Sequence, residues 1–407
     1  MRDAWHVACC AHAMMNLADL RPGQSINAKE RASKAPRLDS ILEPHANNFS
    51  LVRIVMALAV LVSHGFFLHS GLTSMEPLVA WTGYSLGEHA VQVFFFLSGI
   101  LVAQSFDRSG GLLDFTAARV LRIFPGLIVC VLIAAFVIGP AATNLPFAVY
   151  LTSPDVLKYV LRTASLATGS ATMPGVFESA PAAGLVNMSL WTLKYEVVCY
   201  AGLALAGCAG LFKTAWRPYA IAALAVFVAV LFIEPAKSIA QYTAVDNMRY
   251  FAVFFASGVL AYLLRSVLVI HGGVLAVLLA LFVATIGTRF GVLGAAAFLG
   301  YATLYVARWP LAALRALSNR YDISFGIYIY ACPIQQLLIG HFPEAGAVAL
   351  ILFAIAVTLP VALLSWLLIE RPALRARRRV AGARTWRRLP LRGLGGYNLA
   401  SSSSAVR

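Results

Sequence analysis

Ten apolar stretches dominate this chain, at 50–68, 84–106, 119–139, 189–211, 217–234, 249–265, 267–286, 291–307, 321–340 and 346–369. Roughly 20 apolar residues cross the hydrocarbon core of a bilayer. Lipid offers no water to an unpaired backbone N–H or C=O, so a span of this kind must be helical. The expected fold is therefore all-α, a polytopic integral membrane protein with about ten transmembrane helices. Composition agrees, because only 12% of residues are charged and 60% are hydrophobic, whereas soluble domains carry about 25% charged residues. That balance excludes a soluble globular enzyme, a disordered chain and a disulfide-stapled secreted domain. The six cysteines form no framework: Cys9 and Cys10 are adjacent, while Cys130, Cys199, Cys208 and Cys332 each stand alone in apolar surroundings, as small core hydrophobes do.

A net charge of +15 raises the question of nucleic acid. The distribution answers against it, since Lys and Arg fall at the ends of apolar stretches and in a C-terminal tail. With the N-terminus placed inside, 26 of the 32 basic residues lie on the cytoplasmic side, which is the asymmetry that sets orientation. Both termini are predicted to be cytoplasmic. Residues 1–49 read as a cytoplasmic, disordered leader rather than a cleaved signal, residues 50–370 as the transmembrane domain, and 371–407 as a basic cytoplasmic tail. The tail arginines suit an anionic inner leaflet, and equally a solvated tail that reinforces topology.

Chemistry is expected where polar side chains enter the apolar stretches. Arg53 and His64 share the first of these, 11 residues or about three helical turns apart, so both project from nearly one face. Arg53 reads as an interfacial anchor, and His64 as an interhelical hydrogen bonder or a catalytic base. Arg119 and Arg122 lie three apart at the start of the third stretch, on one face. Two guanidiniums there can grip phosphates, or they can simply obey the charge rule. Trp191 fits an interfacial belt. Glu196 lies about two turns inside the stretch that starts at 189, where a carboxylate is costly without a partner, and Lys194 is too near in sequence to share its face.

Several of these residues stand in a familiar series. Arg53 and His64, then Phe94-Phe95-Phe96-Leu97-Ser98-Gly99, then Arg119-x-x-Arg122 with Pro125 follow one another in order. Ser189-Leu190-Trp191-Thr192-Leu193 with Glu196, Ser324-Phe325-Gly326-Ile327-Tyr328 and Ile369-Glu370-Arg371-Pro372 complete it. Over roughly residues 48–375 the chain resembles the acyltransferase-3 family, bacterial inner-membrane proteins that O-acylate surface polysaccharides, exopolysaccharides and nodulation factors. It departs at Gln92, which stands where the family often has an acidic residue, and at Ala331, which stands where a polar one is common.

The resemblance implies an O-acyltransferase, most simply an O-acetyltransferase. The donor would be cytosolic acyl-CoA such as acetyl-CoA, the acceptor a glycan or lipid-linked saccharide, with the lipid bilayer as surroundings and neither metal nor nucleic acid. Arg119, Arg122 and Arg53 would hold the CoA phosphates. His64 would take the proton of the attacking sugar hydroxyl or carry the acyl group itself, and Glu196 would orient it or bind the acceptor beside Trp191. A transporter or flippase of a lipid-linked glycan is the alternative. It would be favoured by internal repeats or matched broken helices, and neither is found.

Overall fold

The computed structural model describes residues 36–43, 46–168, 172–230 and 243–376. These residues form helices and no strands, as expected for an all-α protein. In chain order the principal helices are α1 (Leu38–Ile41), α2 (Phe49–Ser70), α3 (Leu86–Asp107), α4 (Leu112–Ala142) and α5 (Pro154–Ala164). They continue with α6 (Leu193–Cys208), α7 (Arg217–Val230), α8 (Ala244–Leu263), α9 (Gly272–Thr285) and α10 (Gly291–Ala307), then α11 (Ala312–Arg320), α12 (Ser324–His341) and α13 (Ala347–Ala376).

Every one of the ten apolar stretches carries a helix, but length and hydropathy support fewer spans than ten. Among the described residues four helices are long and apolar enough to cross a membrane, namely α2, α3, α4 and α13, and a fifth span arises if α10 and α11, bent by 104° at their junction, count as one. Part of the shortfall has an evident physical source. Helix α9 is 14 residues, about 21 Å at 1.5 Å per residue, against a core of about 30 Å, and α7 is described only as far as Val230. Helix α12 is long enough, but it is enclosed within its own unit and carries polar residues such as Gln335 and Gln336, both buried.

The chain folds into two compact units. Among the described residues, the first holds 36–43, 46–64, 72–104, 205–230 and 243–322, and the second holds 65–71, 105–168, 172–204 and 323–376. In the first unit, α3 and α8 cross with their backbones in contact. A Cβ at Gly99 would lie 2.1 Å from the Phe255 carbonyl, and one at Gly258 would lie 2.1 Å from that of Phe96. Small residues at such crossings let helices approach where lipid provides no hydrophobic drive. Phe95 stacks on Phe251 beside the crossing at 4.4 Å.

The packed structure starts earlier than the boundary at residue 49 that hydropathy set. Leu38, Ile41 and Leu42 are buried, and the Leu38 N–H donates to the Leu268 carbonyl while Ile270 donates back to Pro36. Three apolar residues are too few to register as a span, which is why the segment reads as leader. Residues 1–35, with Cys9 and Cys10, and the tail from Arg377 onward lie outside the described residues.

In the second unit, prolines decide where side chains must intervene. Pro333 inside α12 has no N–H for the Ile329 carbonyl four residues back. Asn187 Nδ2 donates to that carbonyl at 2.7 Å, and the Cys130 thiol does so at 3.2 Å. The same logic operates in α4. Its π turn sends the Gly139 N–H to Ala134, Pro140 offers none, and the Ala135 carbonyl instead accepts from the Tyr150 hydroxyl at 2.8 Å. Gln336 Nε2 donates to the Ala182 and Leu185 carbonyls at 3.0 and 2.9 Å. Together with Asn187 it pins the 182–189 segment to α12, so the turn that leads into α6 is fixed.

This arrangement makes Asn187 a structural residue. Asn187→Leu keeps the volume and removes the donor, leaving a buried carbonyl with only a weak thiol partner. We expect a loss of about 1–3 kcal/mol, read as a lower midpoint of thermal unfolding in detergent. An unchanged midpoint would show that the thiol alone satisfies Ile329.

Candidate functional site

Arg53 and His64 belong to the first unit, on α2. Arg53 Nη1 lies 2.9 Å from Asp322 Oδ2, with side chains 22% and 16% exposed, so this arginine is held by a carboxylate from beyond α11. His64 follows Ser63, which is fully buried and donates its hydroxyl to Glu76. Burial pushes the Glu76 carboxyl above its usual range, although the Ser63 and Ser85 hydroxyls bond to it. The turn just before His64 is thereby tied to the loop between α2 and α3. The start of α3 adds a second chain of bonds. Thr82 Oγ1 meets His89 Nε2 at 2.9 Å, and His89 Nδ1 meets Gln92 Oε1 at 2.8 Å. Gln92 Nε2 in turn donates to the Tyr250 oxygen. Gln92 is fully buried, and its amide can accept from the imidazole and donate to Tyr250 at once, which an ionised carboxylate in its place cannot do.

Arg119, Arg122, Trp191 and Glu196 belong to the second unit. Arg122 Nη1 lies 3.7 Å from Glu370 Oε2, and Glu370 is 2% exposed. The Ser365 hydroxyl donates to the other Glu370 oxygen at 3.1 Å, and the Arg122 guanidinium lies over the Phe325 ring at 5.9 Å. Gly126 makes room for the arrangement, since a Cβ there would meet Phe325 at 2.9 Å and Glu370 at 3.6 Å. Three of the sequence segments singled out above thus converge on one buried ion pair.

Arg119 is held differently. Its guanidinium lies over the Tyr200 ring at 5.7 Å, and Nη2 reaches the Ser105 hydroxyl only at 3.5 Å. Its Nε is buried with no hydrogen-bond partner among the described residues. The Tyr200 hydroxyl donates to Glu196, one helical turn away on α6. Arg119, Tyr200 and Glu196 therefore form a line in which one aromatic side chain touches the cation with its face and the carboxylate with its hydroxyl. Beside it, Thr192 and Tyr328 share a hydroxyl–hydroxyl bond at 2.7 Å, both buried. Trp191 packs edge-to-face on Tyr195 at 5.7 Å, and Lys194 Nζ lies over the same ring at 4.9 Å. Lys194 is thus spoken for by an aromatic face, in keeping with a side chain that does not share the Glu196 face.

Four participants were not among the residues singled out from sequence as site candidates. Tyr200 was within reach of sequence reasoning, because positions four apart on a helix are neighbours. Asp322, Tyr328 and Glu370 were not, being separated from Arg53, Thr192 and Arg122 by 269, 136 and 248 positions.

Comparison with known proteins adds an independent line. A family model described as an acyltransferase domain matches residues 47–370. A protein named O-acetyl transferase, from Shigella phage Sf6, is 28% identical over 344 residues, covering 80% of this chain and 95% of that one. Nodulation protein 10 of Rhizobium leguminosarum bv. viciae is 29% identical over 377 residues, covering 82% of this chain and 94% of its own length. No solved structure matches.

Proposed function

Since the chain belongs to the acyltransferase-3 family and is a multi-pass membrane enzyme, we propose that it O-acylates a glycan. The acyl group, acetyl in the simplest case, passes from cytosolic acyl-CoA to a hydroxyl of a cell-surface or lipid-linked saccharide. The membrane is the bacterial inner membrane, the polypeptide crosses it about ten times, and both termini are cytoplasmic. The relative named an O-acetyl transferase supports acyl transfer.

Arg119 carries the donor half of this reading. A guanidinium with a buried, unmatched Nε and no carboxylate partner among the described residues is suited to an anion that arrives with the substrate. The CoA phosphates are that anion, bound bidentately. Arg122 keeps Glu370 and adds a second positive charge beside Arg119 in the same unit. Arg53, paired with Asp322 in the first unit, is the third basic residue assigned to the phosphates in this reading. For the transfer itself, His64 removes the proton from the sugar hydroxyl as its oxygen attacks the thioester carbonyl. The C–S bond breaks, and the CoA thiolate leaves with that proton. The Glu196 carboxylate is kept in place by Tyr200.

The test uses purified protein in detergent. Arg119→Lys preserves charge but offers one donor direction in place of a fork. Acetyl-CoA affinity is expected to fall ten- to a hundredfold, the worth of one lost charge-assisted hydrogen bond at about 1.5–3 kcal/mol. Equal dissociation constants for the two proteins would remove Arg119 from the donor site.

A further inference from the structure

The second unit contains a cavity of about 940 Å³ at the C-terminal ends of α2, α4 and α12. Its size is within the range of small-molecule sites. His69 of α2, Ala141 and Ala142 of α4, the 175–181 segment and His341 of α12 line it. Along α4 the distance from Arg119 to Ala141 is 22 residues, about 33 Å at 1.5 Å per residue, or one hydrocarbon thickness. The cavity and Arg119 thus occupy opposite ends of one spanning helix.

The lining is rich in hydrogen-bond acceptors. His341 Nδ1 lies 2.8 Å from the Leu337 carbonyl, and His69 Nε2 lies 3.2 Å from that of Ala345. A carbonyl has no proton to give, so each of these nitrogens carries one. In the neutral ring the other nitrogen then presents a lone pair. Asn144 Nδ2 donates to Glu178 Oε2 at 2.9 Å, which leaves the amide oxygen and the second carboxylate oxygen as acceptors. No lysine or arginine is among the lining residues described, so the cavity does not suit the phosphates of the donor.

Its wall is also shaped at some conformational cost. Phe177 is 6% exposed and sits at φ 56°, a left-handed conformation that a bulky residue rarely takes. Its N–H is bonded to the Ala142 carbonyl at 3.4 Å. Gly175, at φ 72°, comes so close to the α4 end that a Cβ would stand 2.3 Å from Asn144 Oδ1. Backbone strain of this kind persists where the surroundings over-determine it, and it clusters at ligand sites.

We propose that this cavity binds the acceptor as a neutral saccharide, whose hydroxyls donate to Glu178, Asn144 and the two imidazoles while Phe177 covers an apolar ring face. The proposal rests on the glycan acyltransferase reading and adds a place and a chemical class for the acceptor. Gly340 provides the test. It lines the cavity, and a Cβ there would have nothing within 4 Å, so the backbone at this point accepts a side chain and Gly340→Trp adds bulk at the cavity wall. The variant, Glu178→Ala and the wild type are each supplied to cells lacking the gene, and each is purified. Two quantities are measured: acetyl-CoA affinity, and transfer of label from acetyl-CoA to unacylated surface glycan extracted from the gene-less cells.

For Gly340→Trp, transfer is expected to fall at least tenfold while acetyl-CoA affinity stays within twofold. For Glu178→Ala, on an exposed stretch, the KM for glycan is expected to rise at least tenfold with acetyl-CoA affinity again unchanged. Wild-type transfer by Gly340→Trp overturns the proposal. Should Gly340→Trp lose acetyl-CoA binding as well, Glu178→Ala decides, an unchanged KM overturning the proposal and a raised one upholding it. A wild-type protein that transfers nothing would instead sink the acyltransferase reading, so the two failures are separable.

Discussion

His64→Gln is expected to abolish transfer while leaving a folded, inserted protein. Glutamine approximates the reach and hydrogen bonding of imidazole but cannot take up a proton, so the loss isolates the titrating role. A positioned base contributes typically 10²- to 10⁴-fold, and the fall in turnover is expected in that range. The neighbours on α2 make it important to keep size constant. Ser63 is fully buried on one side of His64, and on the other a Cβ at Gly65 would stand 2.3 Å from Ile351. The measurements are turnover with acetyl-CoA and extracted glycan, and the thermal midpoint in detergent. A midpoint unchanged and a rate within a few-fold of wild type would reduce His64 to a packing residue.

Glu370→Ala is expected to cost stability first. The carboxylate is 2% exposed and pairs with Arg122, itself only 14% exposed. Removing one member of a buried pair strands the other charge, at a cost of about 3–5 kcal/mol. The same truncation deprives the Ser365 hydroxyl of its acceptor. Replacing both partners together, as Arg122→Met with Glu370→Leu, should restore much of the loss, because no lone charge then remains. Thermal unfolding in detergent reads both. If Glu370→Ala melts with the wild type, the pair does not hold α4 to the end of α13. If the double variant is stable yet binds acetyl-CoA as tightly as wild type, Arg122 has a structural role alone.

How much of this the sequence made legible depends on the distance over which each feature is encoded. Helices α2, α3, α4 and α13 were legible as spans because a long apolar run is a local signal. Helix α12 was legible as a helix but not as an enclosed one, because Gln335 and Gln336 reveal their burial only through partners elsewhere in the unit. The positions of Arg53, His64, Arg119, Arg122, Trp191 and Glu196 stood out as polar or interfacial residues at apolar stretches. Their partners stood out less. The Glu196–Tyr200 bond follows from helical spacing, whereas Arg53–Asp322 and Arg122–Glu370 join residues whose proximity only the fold creates. Asn187 illustrates the intermediate case. Pro333 announces an unmatched carbonyl at Ile329, but nothing in the sequence says which side chain answers it. The cavity at the far end of α4 was invisible for a related reason. Its walls come from helix ends and from the connecting stretches 141–144 and 175–181, and hydropathy reads spans rather than loops.

The central claim is that this chain esterifies a surface glycan with His64 as the base. The most direct measurement is the amount of alkali-labile acyl group on surface glycans from three strains: one with the wild-type gene, one without the gene, and one carrying His64→Gln at equal protein level. The account predicts acyl ester on the first glycan and little or none on the second and third. Glycans equally acylated in all three strains would contradict it.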